Sequence, residues 1–200
     1  MRSSLSVVTL LLAVLAWFGT AAADSKFRPI PGKGRGLAVK AVSYDGATNG
    51  VLTVQVKNSS GKPQRFSAEG LYFVPDGDPD SAPQRLGAVG PLQLAADTGA
   101  GGAKDSVEIA AGATVTVRLD VFCIDSHRPS PSSSNTFTLG RTRLPRQLAR
   151  TIETSAKMAA DEAGGYPAPA AKSAIQGEVW KARDKKWIAL DGEGTQEANK

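Results

Sequence analysis

The chain has 200 residues, of which 41% are hydrophobic, a length and composition suited to one domain with a buried core. Its formal net charge is +5, but acidic and basic residues are mixed, and aromatic residues do not interleave with the basic ones as single-strand binding requires, which argues against a nucleic-acid-binding protein. A single His and a single Cys leave few acid–base partners, which argues against a conventional enzyme.

The first segment, Met1 to Ala23, is typical of a secretory signal peptide. Arg2 provides a positive start, residues 5–18 form an apolar run, and the alanines at 21–23 fit a cleavage site. No later run approaches the roughly 20 apolar residues that span a bilayer. The sequence therefore predicts an extracytoplasmic protein, secreted or periplasmic, with no membrane span after signal cleavage.

Residues 24–127 predict β structure. Alternation of apolar and polar residues predicts strands at 37–44, 51–57, 66–74, 107–109 and 114–125. Residues 75–104 are rich in Gly, Pro, Ala and Asp and predict a long surface excursion with a short strand near 84–86. Short strands separated by turn residues favour a mainly β fold, an immunoglobulin-like antiparallel sandwich.

An acidic turn lies within the surface excursion. Asp76, Asp78 and Asp80 alternate as the first ligands of a calcium loop do. The Gly and Glu that such a loop needs further on are replaced by Ser81 and Gly87. The sequence leaves open whether this turn binds calcium or is simply solvated.

Residues 128–200 predict a loop and then a helical lobe that packs on the sandwich and ends in a polar tail. A helix is predicted from Pro145, with apolar residues four apart at Leu144, Leu148 and Ile152. Another face of this helix is expected to stay in water and carries Arg143, Arg146 and Arg150. A second helix is predicted at about 170–183, with an apolar stripe of Ile175, Val179 and Ala182.

Two polar side chains are predicted to point inward. The two-residue period of the last strand puts Cys123 on the same face as Val117, Leu119 and Val121. The helical period puts Gln176 between Val179 and Trp180, at the apolar stripe. A buried amide without partners costs about 1–3 kcal/mol, so Gln176 should be paired or reacted. A single cysteine in an exported chain should be buried, shared between chains or chemically used.

These two residues lie in motifs that resemble a known family. The runs are Phe122-Cys123-Ile124-Asp125 and Ile175-Gln176-Gly177-Glu178-Val179-Trp180. They resemble the signatures of bacterial thioester domains in surface adhesins, which pair a Cys on the β portion with a Gln in a Thr-Gln-x-Ala-[Ile/Val]-Trp motif. Here Ile175 and Glu178 stand where the family has Thr and Ala. The resemblance implies that Cys123 and Gln176 form an internal thioester that acylates a partner amine, with Trp180 as the packing neighbour.

Other chemistry around the cysteine fits less well. Cys123, Asp125 and His127 would share one face if the strand continued, but they supply only three of the four ligands of a zinc site. A nucleophilic Cys–His pair would need a sharp turn, because four residues of strand separate Cys123 from His127 by about 13 Å. We therefore predict no metal and no other cofactor.

The sequence as a whole predicts an exported binding or attachment module. Its sharper form is covalent attachment through Cys123 and Gln176, with at most a single turnover. The alternative is a noncovalent structural or interaction module of the cell envelope, in which Cys123 is buried and inert and the arginine face binds an anionic surface. The partner is expected to be a protein or a cell-surface ligand, not nucleic acid, and the sequence does not identify it.

Overall fold

The computed structural model describes residues 26–32, 36–78, 80–94, 106–162 and 169–185. This part of the chain is mainly β, with strands β1 (Arg28–Pro29), β2 (Leu37–Tyr44), β3 (Val51–Asn58), β4 (Gln64–Phe66), β5 (Leu71–Pro75), β6 (Leu86–Leu94), β7 (Val107–Ile109), β8 (Thr114–Cys123) and β9 (Phe137–Leu139). Two helices follow the strands, α1 (Arg146–Glu162) and α2 (Pro169–Lys185).

Seven strands form one antiparallel sheet in the order β1-β2-β3-β8-β6-β5-β9, and β4 pairs with β7 in a small second sheet. Although β2 and β9 are far apart in this order, they contact each other. The rings of Tyr44 and Phe137 meet edge to face there, with centroids 5.4 Å apart. The large sheet is therefore curled into a near-barrel. The immunoglobulin-like sandwich remains a prediction.

Strand β8 separates two hydrophobic cores because successive side chains of a strand point to opposite faces. One face contributes to the inner core, enclosed by the curled sheet, which includes Val54, Phe73, Val117, Leu119, Val121 and Cys123. The other face contributes to the helix-facing core, which includes Tyr72, Phe122, Ile124, Leu148, Ile152, Ile175 and Val179. The sequence prediction that Cys123 points inward with its odd-numbered neighbours is confirmed.

The predicted strands match the structure in part. The prediction of β2 at 37–44 is confirmed, but the single strand predicted at 66–74 is wrong, since β4 ends at Phe66 and β5 begins at Leu71. Gly70 between them has a φ of +67°, a left-handed conformation that ends an extended run. β6 is longer than the strand predicted near 84–86, and its register against β8 shifts between Ala88 and Leu92. Strand β9 was not predicted.

The helix predictions are confirmed for the apolar faces. Leu144, Leu148 and Ile152 are buried, while Arg146 and Arg150 are exposed. Arg143 is an exception, because it is half-buried. Its Nε donates to the carbonyl of Pro31 at 2.8 Å and its Nη1 donates to the carbonyl of Glu69. Its long side chain lies along the protein surface and ties the start of α1 to the β part.

The predicted signal peptide at residues 1–23 and the tail at 186–200 lie outside the described residues. Within the described ranges, neither helix combines the length and apolar character needed to cross a membrane.

Candidate functional site

The structure brings Cys123 and Gln176 into direct contact. The backbone N–H of Cys123 donates to Gln176 Oε1 at 2.9 Å, and Gln176 Nε2 donates to the Cys123 carbonyl at 2.6 Å. Cys123 is 0% exposed and Gln176 is 3% exposed. The prediction that Gln176 is buried and paired is therefore confirmed, and its partner is the main chain of the cysteine.

This contact forms just beyond the N-terminal end of β3. The last pair of the β3–β8 ladder is Val51 with Asp120. Beyond it, the N–H groups of Val121 and Cys123 donate to the carbonyls of Gly50 and Thr48 at 3.0 and 3.2 Å. The side chain of Gln176 bonds to the same edge of β8, so a helix side chain continues the hydrogen bonding that a strand would have made.

The thiol of Cys123 lies in the inner core close to the hydroxyl of Tyr44, which donates to the Ala47 carbonyl. Burial and the negative charge of Asp125 raise the pKa of Cys123 to about 12, and the nearby Tyr44 hydroxyl only partly offsets them. Burial also raises the pKa of Tyr44 above its ordinary value. The thiol is therefore protonated at neutral pH, and it is a weak nucleophile until a base takes its proton.

Trp180 lies one helical turn after Gln176. It is half-buried and packs against the inner core, and its Nε1 donates to Gln84 Oε1 at 3.1 Å. The indole thereby fixes this turn of α2 beside the segment that leads into β6.

A buried ion cluster lies two residues beyond Cys123. Asp125 is 0% exposed, and it accepts hydrogen bonds from Arg85 Nε at 2.8 Å, from Arg85 Nη2 at 2.7 Å and from Arg183 Nη2 at 3.2 Å. Burial alone would raise the pKa of Asp125, but the hydrogen bonds and charges of Arg85 and Arg183 outweigh it and lower that pKa below its ordinary value. Asp125 is thus a charged anchor between β8 and α2.

A second ion pair joins the same elements. Lys172 Nζ lies 2.6 Å from Asp120 Oδ1, and both side chains are largely buried. Asp120 lies on the face of β8 opposite to Leu119 and Val121, and α2 packs on that face and buries it. The sequence did carry a signal for these contacts, because Lys172, Gln176 and Arg183 are spaced by four and seven residues and so lie on one side of a helix. That polar side is the one that faces β8.

The alternative metal ligands are not brought together. His127 is exposed, whereas Cys123 and Asp125 are buried. Asp78 accepts hydrogen bonds within its own turn, from the Asp80 N–H at 3.1 Å and the Ser81 hydroxyl at 3.4 Å. Within the described ranges, no three His, Cys, Asp or Glu side chains are placed to share a metal ion.

The chain matches no protein-family model, and no curated protein or solved structure is detectably similar to it. The interpretation of the site therefore depends on its own geometry.

Proposed function

We propose that this protein is an exported attachment module whose Cys123 and Gln176 form an internal thioester that acylates an amine of a protein or cell-surface ligand. The main support is the paired contact between the Gln176 carboxamide and the Cys123 main chain, in a place where both residues are buried. Positioning of this kind converts an improbable encounter between a thiol and an amide into a nearly intramolecular one.

The chemistry needs no oxidant or reductant. The Cys123 sulfur attacks Gln176 Cδ, the C–S bond forms, the C–N bond breaks, and ammonia leaves with the proton of the thiol. A partner amine then attacks the same carbon, the C–N bond of an amide forms, the C–S bond breaks, and the sulfur recovers a proton from the amine. The net result is one acyl transfer for each chain, which is a single turnover.

Two groups around the site suit this reaction. The Cys123 N–H already donates to Gln176 Oε1, so it is placed to stabilise negative charge on that oxygen during attack. The Tyr44 hydroxyl lies close to the thiol, and in the proposed reaction it relays the thiol proton. Condensation also requires the carboxamide to turn from the main chain towards the sulfur, and the pKa of the thiol is raised to about 12. We therefore expect the thioester to form slowly, as a maturation step.

Intact mass of the purified mature chain tests this proposal. A thioester lowers the mass of the chain by one ammonia. Methylamine opens the thioester, so the mass of the chain rises by one methylamine and the thiol becomes free. The ammonia loss should disappear in Cys123→Ala and in Gln176→Glu, while Glu178→Gln, an exposed position two residues further on and on the other side of the helix, should behave as the wild type. A full-mass wild-type chain with a titratable thiol contradicts the thioester.

The second candidate is a noncovalent interaction module of the cell envelope with an inert Cys123. It is favoured by a concave surface of about 670 Å³ on α1, lined by Arg146, Gln147, Arg150, Thr151, Thr154 and Ser155. Exposed arginines beside hydroxyl groups suit an anionic partner surface. Binding to anionic lipid vesicles that weakens with salt and with Arg146→Ala plus Arg150→Ala, but not with Lys157→Ala on the same helix, would support this function.

Both candidates include export through the signal peptide and an immunoglobulin-like arrangement of the β part. The antiparallel pairing of the strands supports a mainly β class, which an immunoglobulin-like arrangement requires. N-terminal sequencing of the mature protein and its recovery from the extracytoplasmic fraction test the export.

A further inference from the structure

The turn that joins β2 to β3, residues 45–50, covers Cys123 directly. Thr48 in this turn accepts a hydrogen bond from the Cys123 N–H at 3.2 Å. Tyr44, at the base of the turn, donates its hydroxyl to the Ala47 carbonyl and lies close to the Cys123 thiol. The 45–50 turn therefore contacts the main chain of Cys123, and Tyr44 links the turn to the side of the thiol.

The 45–50 turn is held together internally, so it can move as one unit. Asp45 Oδ1 accepts from the Ala47 N–H at 3.1 Å, and Asp45 Oδ2 accepts from the Val51 N–H at 2.8 Å. The Asp45 N–H also donates to the Val51 carbonyl at 3.2 Å. Gly46 has a φ of +86°, which allows the chain to reverse directly after β2.

The outer contacts of the 45–50 turn are weaker. Asn49 Nδ2 donates to Ser173 Oγ of α2 at 3.3 Å, and Thr48 Oγ1 lies 3.4 Å from Ser130 Oγ. Both contacts are long, neutral and exposed. Water can replace them at little cost, because an exposed neutral hydrogen bond adds little net stability.

We propose that the 45–50 turn is a gate over the Cys123–Gln176 pair. The Asn49–Ser173 and Thr48–Ser130 contacts hold it closed together with the bonds of its main chain to β8 and to the Tyr44 hydroxyl, and it opens when these contacts break together. In the closed form the turn keeps water away from the buried pair. In the open form an amine-bearing partner reaches the acyl carbon. The purpose of the gate depends on the proposed thioester, whereas the opening itself is a property of the free protein.

Alkylation of Cys123 by iodoacetamide, followed by intact mass across a series of urea concentrations below the unfolding transition, measures this opening. The background is Gln176→Met, which has a free thiol and cannot form a thioester, with Gln176→Glu as a second background if the first does not fold. Local opening gives an alkylation rate that is nearly independent of urea, since little surface is exposed. Global unfolding gives a rate that rises steeply with urea.

Removal of one gate contact should change the rate in a predictable direction. Asn49→Ala should raise the alkylation rate in water by about two- to fivefold, which corresponds to the loss of one exposed hydrogen bond. Thr151→Ala removes an exposed neutral hydroxyl contact to the Gln147 carbonyl on α1, outside the gate, and should leave the rate unchanged. The proposal is overturned if alkylation follows global unfolding, if no alkylation occurs below the transition, or if Asn49→Ala has no effect. None of these results depends on the thioester, whose own test is the mass of the wild-type chain.

Discussion

The carboxamide of Gln176 pairs with the main chain of Cys123 as a residue of a neighbouring strand would, through one donated and one accepted hydrogen bond. Beyond the start of β3, the Gln176 side chain therefore shares this edge of β8 with the carbonyls of Thr48 and Gly50. The contact serves stability and the proposed chemistry alike, so the two roles need separate measurements.

Gln176→Ala should lower the free energy of unfolding by about 1–3 kcal/mol, because the buried Cys123 carbonyl loses the Gln176 donor. Urea unfolding followed by circular dichroism measures this change. Glu178→Ala, at an exposed position on the same helix, should stay within about 0.5 kcal/mol of the wild type. Equal losses in the two variants would mean that the Gln176 contact contributes nothing specific.

The Cys123 thiol should make the protein less stable in alkaline solution. Its pKa is raised from 9.0 to about 12 in the folded protein, so between these pH values the unfolded chain releases the thiol proton and the folded chain keeps it. Its contribution to stability is complete below pH 9.0 and is lost as pH rises towards about 12. Unfolding titrations of wild type and Cys123→Ala should therefore diverge in slope over this window. Cys123 also contributes to the raised pKa of Tyr44, so its removal relieves part of that shift and moves the alkaline stability in the same direction. Parallel curves would contradict the prediction.

Asp125→Asn should destabilise the fold by about 3–5 kcal/mol, since it removes the buried charge that Arg85 and Arg183 share. The pKa of Asp125 is lowered in the folded protein, so its contribution is present above the ordinary pKa of 3.8 and is lost as pH falls through the folded value. The variant should accordingly show a weaker loss of stability in acid. Asp184→Asn, an exposed carboxylate on α2, provides the matched control. If the wild type, Asp125→Asn and Asp184→Asn lost stability equally as the pH falls, the charge of Asp125 would not stabilise the fold.

Gly177→Ala should stabilise the protein by about 0.5–1 kcal/mol. Gly177 lies inside α2, where Gly is a poor helix former, and a Cβ added there meets nothing within 4 Å. Gly50→Ala should have the opposite effect, because its Cβ would lie 2.8 Å from the Ala47 carbonyl oxygen and against the Asp45 carboxylate. Thermal unfolding of both variants checks the sign. A destabilised Gly177→Ala would show that α2 needs the glycine for another reason.

The sequence predicted the faces of the elements better than their ends. Alternation along β8 identified Cys123 as inward, and the helical period identified Gln176 as covered, because both patterns follow from local geometry. Local patterns could not predict that β3 begins at Val51, opposite Asp120, so that the edge of β8 beyond this pair bonds both to the 48–50 main chain and to Gln176. They also could not predict the pairing of β9 with β5, since contacts between distant segments are set by the whole fold.

The polar contacts of α2 also determine where this helix sits along the sheet. From Lys172 to Arg183 the helix rises roughly 16 Å, and an extended chain from Asp120 in β8 to Asp125, two residues beyond its end, spans about the same length. Lys172, Gln176 and Arg183 reach their partners Asp120, Cys123 and Asp125 at only one position of the helix along the strand. Apolar packing alone tolerates a slip of one turn, but here such a slip would separate two ion pairs and an amide at once. The alignment of helix and strand is therefore unique, which keeps the glutamine level with the cysteine.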